Sequence, residues 1–233
     1  MIWGIDGCRA GWLGIARTAN NANLIEIFPE FGIFWDKYGA EASRVLIDMT
    51  IGLPESGERV PDMLARQMLG ARRASMFVMP VRAALDASTY QEAIAINQRI
   101  TGKKFPKQTW NIVPRIREVN TVLRGDAHAQ SVVMECHPEV AFCVLQGAPM
   151  AHSKKSGFGF YERLSVLLGY DPQMRHIAET ARATFHPRDV ADDDILDALV
   201  LLLCAGMEPL ASLPDEPPRD AFGLPMRIVY PVL

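Results

Sequence analysis

Short apolar runs separated by polar turns dominate the first fifty residues. Residues 1–6, 12–18 and 23–28 are mostly apolar, and turn signals at 7–11 and 19–23 predict that they form three successive strands joined as two hairpins. A weakly helical stretch over 34–43 leads to another apolar run at 44–51, which predicts a fourth strand. The first and fourth runs each contain an aspartate, so we expect acids on neighbouring central strands of a sheet.

The rest of the chain is dominated by helical periodicity. Apolar residues recur at helical spacing over 61–69, 90–101 and 114–123, and further helices are predicted at 140–146, 161–168 and 174–184. Residues 131–136 form one more apolar run, which predicts a fifth strand. The segment 192–207 predicts a long helix that is acidic at its start and almost wholly apolar afterwards. The proline-rich stretch 208–218 predicts a surface connection, and residues 226–232 predict an edge strand or a packing arm.

These elements predict one α/β architecture. We expect a five-stranded mixed sheet, with its first three strands antiparallel, flanked by helices on a single domain that spans residues 1–233. A helical, basic insertion is expected at about 55–130. The 49% hydrophobic and 22% charged content of the 233 residues is ordinary globular usage. No apolar run reaches the roughly 18 residues of a membrane span and no signal segment is visible, so a cytoplasmic location and no membrane partner are expected.

The cysteines and the charges narrow the classes of function. None of the four cysteines forms a CxxC pair, so zinc and redox chemistry are not indicated and reduced packing residues are expected. The net charge of −3 hides an uneven distribution, because residues 59–124 carry a net charge of +8 and the remainder −11. The basic middle either solvates helices and loops or contacts the phosphates of a nucleic acid. A homodimer is compatible with the sequence.

Four aspartates are the main candidates for chemistry. Asp194 and Asp197 are three residues apart on the predicted helix and share a face, and that helix is expected to press them onto the strands that carry Asp6 and Asp48. A buried group of four carboxylates would repel itself unless cations or protons neutralised it. Oxygen ligands without histidine or cysteine favour Mg²⁺ or Mn²⁺ over zinc, and two such ions would suit phosphodiester hydrolysis. The alternative is that residues 192–194 only cap the helix.

A second group of polar residues follows the fifth strand. Glu135 and His137 are expected on one face of that strand, where an acid beside an imidazole can orient an attacking water. Alternatively, His137 belongs to a turn and Glu139 caps the next helix. The polar candidates for substrate binding are Arg66, Arg72, Arg82, Gln108, Lys154 and Arg163. Each of the basic ones can instead form a surface ion pair, and the aromatic candidates for base stacking, Phe77, Phe105 and Trp110, can instead pack in the core.

Six stretches of the chain match a known pattern. They are GIDGCRAGW (4–12), LIDMTIGLP (46–54), RRASMFVMPVRAAL (72–85), QTWNIVPRIREV (108–119), ECHPEVAF (135–142) and DDDILDAL (192–199). Together they resemble the ribonuclease H-like superfamily and, within it, the predicted nucleases of domain-of-unknown-function family 429 (DUF429). The resemblance implies the fold described above and a nuclease activity. The aspartate pair at 194 and 197 is similar to a pair in bacterial Holliday-junction resolvases of that superfamily.

The resulting hypothesis is a metal-dependent nuclease with a nucleic-acid partner. Asp6 would bridge two ions, Asp48 and Asp194 would each complete one, Asp197 would assist and Glu135 would position water. One alternative is an ATP-dependent phosphotransferase of the actin-like or sugar-kinase fold, because the glycine-rich turn after the first strand is similar to a phosphate-binding hairpin. That alternative expects a second lobe after residue 150. The other is a non-catalytic nucleic-acid-binding module.

Overall fold

The computed structural model describes all 233 residues and contains the predicted sheet. The five strands are β1 (Ile2–Cys8), β2 (Gly11–Arg17), β3 (Asn23–Phe28), β4 (Arg44–Ile47) and β5 (Val133–Glu135). They lie in the order β3-β2-β1-β4-β5. The pairs β1–β2 and β2–β3 are antiparallel, whereas β1–β4 and β4–β5 are parallel. The five-stranded mixed sheet with an antiparallel beginning is therefore confirmed.

Nine α-helices surround this sheet. They are α1 (Phe31–Tyr38), α2 (Val60–Leu69), α3 (Tyr90–Thr101), α4 (Lys107–Gly125), α5 (Ala127–Val132), α6 (Pro138–Gln146), α7 (Gly157–Tyr170), α8 (Met174–Thr184) and α9 (Asp192–Ala205). Short 3-10 helices occupy Gly39–Glu41, Gly70–Ser75 and Arg82–Asp86. Helices α2 to α5 lie between β4 and β5, the region in which a helical insertion was predicted. None of the nine is both long and apolar enough to cross a membrane.

Each face of the sheet has its own apolar core. Leu13, Ile15 and Leu46 point to one face, where they pack with residues of α6, α7, α8 and α9. Trp3 and Val45 point to the other face, where they pack with residues of α1, α4 and α5. Because side chains alternate along a strand, each of these residues also fixes the direction of its neighbours. Asp6 lies on the face of Leu13, its partner in β2, and therefore on the side of α9.

Helix α9 lies directly on β1 because a glycine leaves room for it. A Cβ atom at Gly4 would stand 2.2 Å from both the Ala198 carbonyl oxygen and the Leu202 amide nitrogen, so no other residue fits without moving the helix. Residues 195–202 of α9 are all buried, as expected for a helix that is apolar on every side. This close packing brings the acidic first half of α9 to the carboxyl end of β1.

The structure differs from several of the predicted element boundaries. Strand β4 ends at Ile47, and residues 131–132 belong to α5, whose first turn is capped by the Asp126 carboxylate. Helix α4 starts at residue 107 and continues through an internal Pro114, where the predicted helix was expected to begin. The predicted surface connection contains a strand, β6 (Leu210–Leu213). It pairs with β7 (Ile228–Pro231), which lies in the predicted edge strand or packing arm, and the two form a separate two-stranded sheet.

Candidate metal centre and the pocket around it

Three aspartates meet at the carboxyl ends of β1 and β4. Asp6 is in β1, Asp48 directly follows β4, and Asp197 is in the second turn of α9. Each offers a carboxylate oxygen, and these oxygens all lie within 4.8 Å of one another. Asp6 and Asp197 are buried and Asp48 is half-buried. Asp48 is held in place by its backbone, since its N–H donates to the Ile5 carbonyl at 3.0 Å.

The negative charge of this group exceeds the positive charge that the surrounding side chains supply. Burial, together with the charges of Asp197 and Asp48, raises the pKa of Asp6 well above its usual range. Burial also raises the pKa of Asp197 to about 7, although the Lys154 ammonium opposes the shift. Asp197 Oδ2 is ion-paired with Lys154, whereas Asp197 Oδ1 is buried and has no hydrogen-bond partner. One lysine faces three carboxylates, so the centre has capacity for further positive charge.

The residues of this centre fit a divalent metal ion. Three carboxylate oxygens within reach of one another form a hard, oxygen-only ligand set, and an unpartnered buried oxygen is a ready ligand. We name Asp6, Asp48 and Asp197 the carboxylate centre. It is the part of the predicted four-aspartate set that the fold brings together.

Asp194 does not join this close group. Its Oδ2 accepts a hydrogen bond from the Ala191 N–H at 2.8 Å, so the side chain caps the first turn of α9. Burial raises the pKa of Asp194, and the bond from Ala191 opposes the shift. Asp193, four residues before Asp197, is instead linked to the centre, because Lys154 Nζ lies 3.7 Å from Asp193 Oδ2 and also pairs with Asp197.

Glu135 is committed to a separate ion network. Its register partner is Ile47, so it points to the sheet face opposite Asp6 and Asp48. Both Glu135 oxygens accept from the buried Arg59 guanidinium, and Oε2 also accepts from the Ile51 N–H at 2.8 Å. Burial raises the pKa of Glu135 to about 7, while Arg59 acts in the opposite direction. The water-positioning role predicted for Glu135 therefore has to compete with these bonds.

Arg59 is the middle of that network and is fully buried. Its Nη1 donates to Asp62 at 2.6 Å, its Nε to the Gly52 carbonyl at 2.9 Å and its Nη2 to the Ile51 carbonyl at 2.8 Å. Asp62 in turn accepts from the Met79 N–H at 3.1 Å. These bonds fix residues 51–52, which follow Asp48, and residue 79, and thereby shape one side of the site. We call Arg59, Asp62 and Glu135 the arginine network.

A pocket of about 500 Å³ opens at the carboxylate centre. Its cationic and polar lining includes Arg72, Arg115, His137, Lys154 and Lys155, and its apolar lining includes Met49, Met76, Phe77, Met79 and Ile112. The volume is within the range of about 300–1,000 Å³ typical of sites that hold one small ligand. The pocket thus places carboxylates, cations and an apolar wall around a space for one ligand.

The predicted substrate-binding residues divide into two groups. Arg72 and Lys154 line the pocket. Arg66, Arg82 and Gln108 do not: Arg66 donates to the Met76 carbonyl at 2.8 Å, Arg82 pairs with Asp220, and Gln108 is exposed in the first turn of α4. Arginine side chains of the basic middle are thus largely used inside the fold. Arg163 is fully buried and pairs with Glu139.

Two contributors to the site were missed from the sequence. Arg115 donates to the Cys8 carbonyl and lies against the backbone of Gly7, where a Cβ atom would stand 2.5 Å from its Nη1. A glycine directly after Asp6 is the signal that could have indicated such a close approach. Arg59 gave no signal, because it stands in a charged, glycine-containing stretch that is typical of an exposed loop. Phe105 is buried and Trp110 packs beside it, so Phe77 is the aromatic candidate that reaches the pocket.

Comparison with known proteins identifies a family but no activity. A family model described as "Protein of unknown function (DUF429)" matches residues 4–219. The chain has no significant match among curated proteins or among solved structures.

Proposed function

The chain belongs to the DUF429 family, and from its carboxylate centre we propose that it is a metal-dependent nuclease that hydrolyses phosphodiester bonds. The observation that carries this proposal is the convergence of Asp6, Asp48 and Asp197, with one buried oxygen unpartnered, at the end of a pocket lined by Lys154 and Arg115. Carboxylates that hold a cation beside side chains that attract an anion are the arrangement that phosphoryl chemistry uses.

We infer Mg²⁺ or Mn²⁺ as the cofactor, because the ligand set consists of oxygens alone. Asp6, Asp48 and Asp197 would hold one ion, and Asp194 would contribute to a second next to Asp6, whose pKa already responds to the Asp194 charge. When bound, the ions supply charge neutralisation and an activated water for an in-line displacement. This is the two-ion hypothesis of the sequence, with Asp197 rather than Asp194 in the closest group.

The chain's own cations would orient the substrate. Lys154 and Arg115 line the same pocket as the carboxylate centre, and an ammonium and a guanidinium are both suited to phosphate oxygens. Lys155 and Arg72 extend the positive lining to other parts of the pocket. A nucleic-acid phosphate would thus be held between these groups and the carboxylates.

We also propose that the fold is ribonuclease H-like. The strand order β3-β2-β1-β4-β5, with an acid on β1 and another after β4, supports this assignment. The phosphotransferase alternative requires a second lobe after residue 150. Residues 157–205 instead form α7, α8 and α9, and residues of these helices pack in the core on one face of the same sheet.

The experiment is a cleavage assay with a matched pair of variants. RNA, DNA, hybrid and branched substrates are incubated with the protein and Mn²⁺, and Asp6→Asn is compared with Asp215→Asn, an exposed aspartate outside the pocket. We expect Asp6→Asn to lower the cleavage rate by about 10³-fold or more, because the loss of one residue of a catalytic unit can cost nearly as much activity as the loss of the whole unit. Asp215→Asn is expected to retain full activity.

Each other outcome has a definite meaning. Equal rates for Asp6→Asn and wild type would refute the assignment of activity to this centre. Binding of nucleic acid without any cleavage would favour the non-catalytic module, and ATP consumption with a small acceptor would favour the phosphotransferase.

A further inference from the structure

The wall of the pocket formed by α6 and its N-terminus carries polar atoms that no protein group satisfies. Glu139 is 3% exposed, and its Oε2 atom is buried without a hydrogen-bond partner. Arg72 Nε lies 3.9 Å from that oxygen, beyond hydrogen-bond distance. His137 Nδ1 is also buried and unpartnered. Unsatisfied buried polar atoms are rare, and those that line a cavity are candidates for ligand contacts.

The chemistry of this wall differs from that of the carboxylate centre. Glu139 Oε1 is paired with Arg163, so this acid has a guanidinium of its own, whereas the three acids of the carboxylate centre share Lys154. A carboxylate oxygen beside guanidiniums accepts hydrogen bonds, and therefore calls for a ligand with an N–H or O–H donor. Phe77 and Met76 line the same pocket and supply an apolar surface for the face of a flat ring. A donor edge on a flat ring describes a nucleobase.

We propose that His137, Glu139 and Phe77 form a base-selecting subsite for the nucleotide whose phosphate lies at the carboxylate centre. This inference rests on the proposed nuclease function and adds a substrate preference to it. Single-stranded nucleic acids are commonly read in this way, with unstacked bases held against aromatic side chains and hydrogen-bonded at their edges. The volume of about 500 Å³ suits one nucleotide unit.

The free acceptor selects among bases. Cytosine, adenine and guanine present an amino group that can donate to Glu139 Oε2, and beside it a ring nitrogen that can accept from His137 Nδ1 when that nitrogen carries the imidazole proton. Uracil and thymine present carbonyl oxygens on both sides of their one ring N–H, and a carboxylate oxygen repels these. A ligand that leaves a buried polar group unpaired loses much of its affinity, so such a group discriminates strongly between ligands. We therefore expect bases with an amino group to be preferred.

Cytosine and uracil provide the sharpest test, because they differ in the group presented at one ring edge. Cleavage of oligocytidylate and oligouridylate is measured in Mn²⁺, and we expect kcat/KM to favour the cytosine substrate by about tenfold or more. His137→Ala and Glu139→Gln should each reduce that ratio about tenfold. The His137 side chain makes no hydrogen bond within the protein, so His137→Ala keeps the test valid if Glu139→Gln fails to fold. His176→Ala, an exposed histidine of α8, is the control and should leave the ratio unchanged.

A binding measurement separates this inference from the nuclease proposal. Equilibrium dialysis of cytidine and uridine needs neither a phosphate nor a metal ion, and tighter binding of cytidine that His137→Ala abolishes would support the subsite even if no cleavage occurs. Cleavage of both polymers at equal rates, or a cytosine preference that survives in His137→Ala, would overturn the subsite and leave the nuclease proposal intact. Absence of cleavage together with equal binding of both nucleosides would overturn both.

Discussion

The carboxylate centre and the arginine network are two buried acidic groups near the same end of the sheet, and they are satisfied to opposite degrees. In the arginine network, one guanidinium pairs with two carboxylates, and the backbone N–H groups of Ile51 and Met79 also donate to those carboxylates. In the carboxylate centre, three acids share one lysine, and Asp197 Oδ1 has no partner. The first arrangement is complete within the chain, whereas the second gains from a ligand that the chain does not supply.

This difference distinguishes a structural ion network from a candidate site for chemistry. The arginine network fixes the segment after Asp48 through the carbonyls of Ile51 and Gly52, so its completeness makes that segment rigid. The carboxylate centre keeps a destabilising concentration of charge, which is the usual condition of a functional site. Proximity of acids alone is therefore a weak criterion for a candidate metal centre, and the balance of hydrogen-bond donors and cations around each acid is a more selective one.

The largest effect is expected from breaking the arginine network. Replacing Arg59 by methionine leaves Asp62 and Glu135 buried without their cation, and this should lower the free energy of unfolding by about 3–5 kcal/mol. Urea denaturation monitored by circular dichroism measures the change. Arg73→Met, at an exposed arginine of the same region, is the control and should change stability by less than about 0.5 kcal/mol. A loss below about 1 kcal/mol for Arg59→Met would show that the arginine network contributes little to the stability of the fold.

Sequence reasoning found the acids of the centre for identifiable reasons. Asp6 and Asp48 interrupt or end apolar strands, and Asp197 stands inside an otherwise apolar helix, so each is a charge where burial is expected. The same reasoning could not find the face of Glu135, because that depends on the register of β5 against β4, which pairs it with Ile47. Register is set by tertiary packing and not by the local pattern.

The basic middle, residues 59–124, shows the same limit of a local sequence pattern. Its excess of positive charge is visible in the sequence, but the destination of each arginine is not. Arg82 reaches Asp220, 138 residues away, and Arg117 donates to the carbonyls of Leu85 and Ala87. Composition alone would place these positive charges on the protein surface, but long-range pairing of this kind uses them inside the fold. Arg72 and Arg115 instead line the pocket.

A pH titration of stability should reveal the raised pKa values of the carboxylate centre. Burial raises the pKa of Asp197 to about 7, and burial with the neighbouring aspartates raises that of Asp6, so without metal the native state holds protons that the unfolded state loses near pH 4. Stability from Asp197 is present below about pH 4 and is lost as the pH rises to about 7, by up to about 1.4 kcal/mol per pH unit, and the raised pKa of Asp6 acts in the same direction.

The measurement compares Asp197→Asn with wild type in EDTA. Urea midpoints between pH 5 and 8 should show the variant gaining stability relative to wild type as the pH rises, and excess Mn²⁺ should reverse the sign, because metal binds the deprotonated native centre. Asp215→Asn, an exposed aspartate, should show neither trend. A constant difference between Asp197→Asn and wild type across the pH range would contradict the undercompensated centre.

The smallest effect concerns the one cation that the chain supplies to the carboxylate centre. Lys154 Nζ pairs with Asp197, and the carboxylates of Asp197 and Asp6 raise the pKa of Lys154 although burial lowers it, so the ammonium is charged wherever a metal would bind. An incoming divalent ion must therefore displace this ammonium or tolerate its repulsion. Replacing Lys154 by methionine keeps the length of the side chain and removes the charge, and the dissociation constant for Mn²⁺ should fall about tenfold, equivalent to about 1.4 kcal/mol.

Isothermal titration calorimetry measures this change, and Lys155→Met is the matched control because Lys155 is exposed and pairs with Asp193 at 2.6 Å, outside the carboxylate centre. The same Lys154→Met variant should raise KM for the nucleic acid at saturating Mn²⁺, since the displaced ammonium then faces the phosphate. Tighter metal binding with weaker substrate binding would identify Lys154 as a cation that serves the two states of the site in turn. Weaker Mn²⁺ binding in Lys154→Met would mean that the lysine organises the carboxylates instead of competing for them.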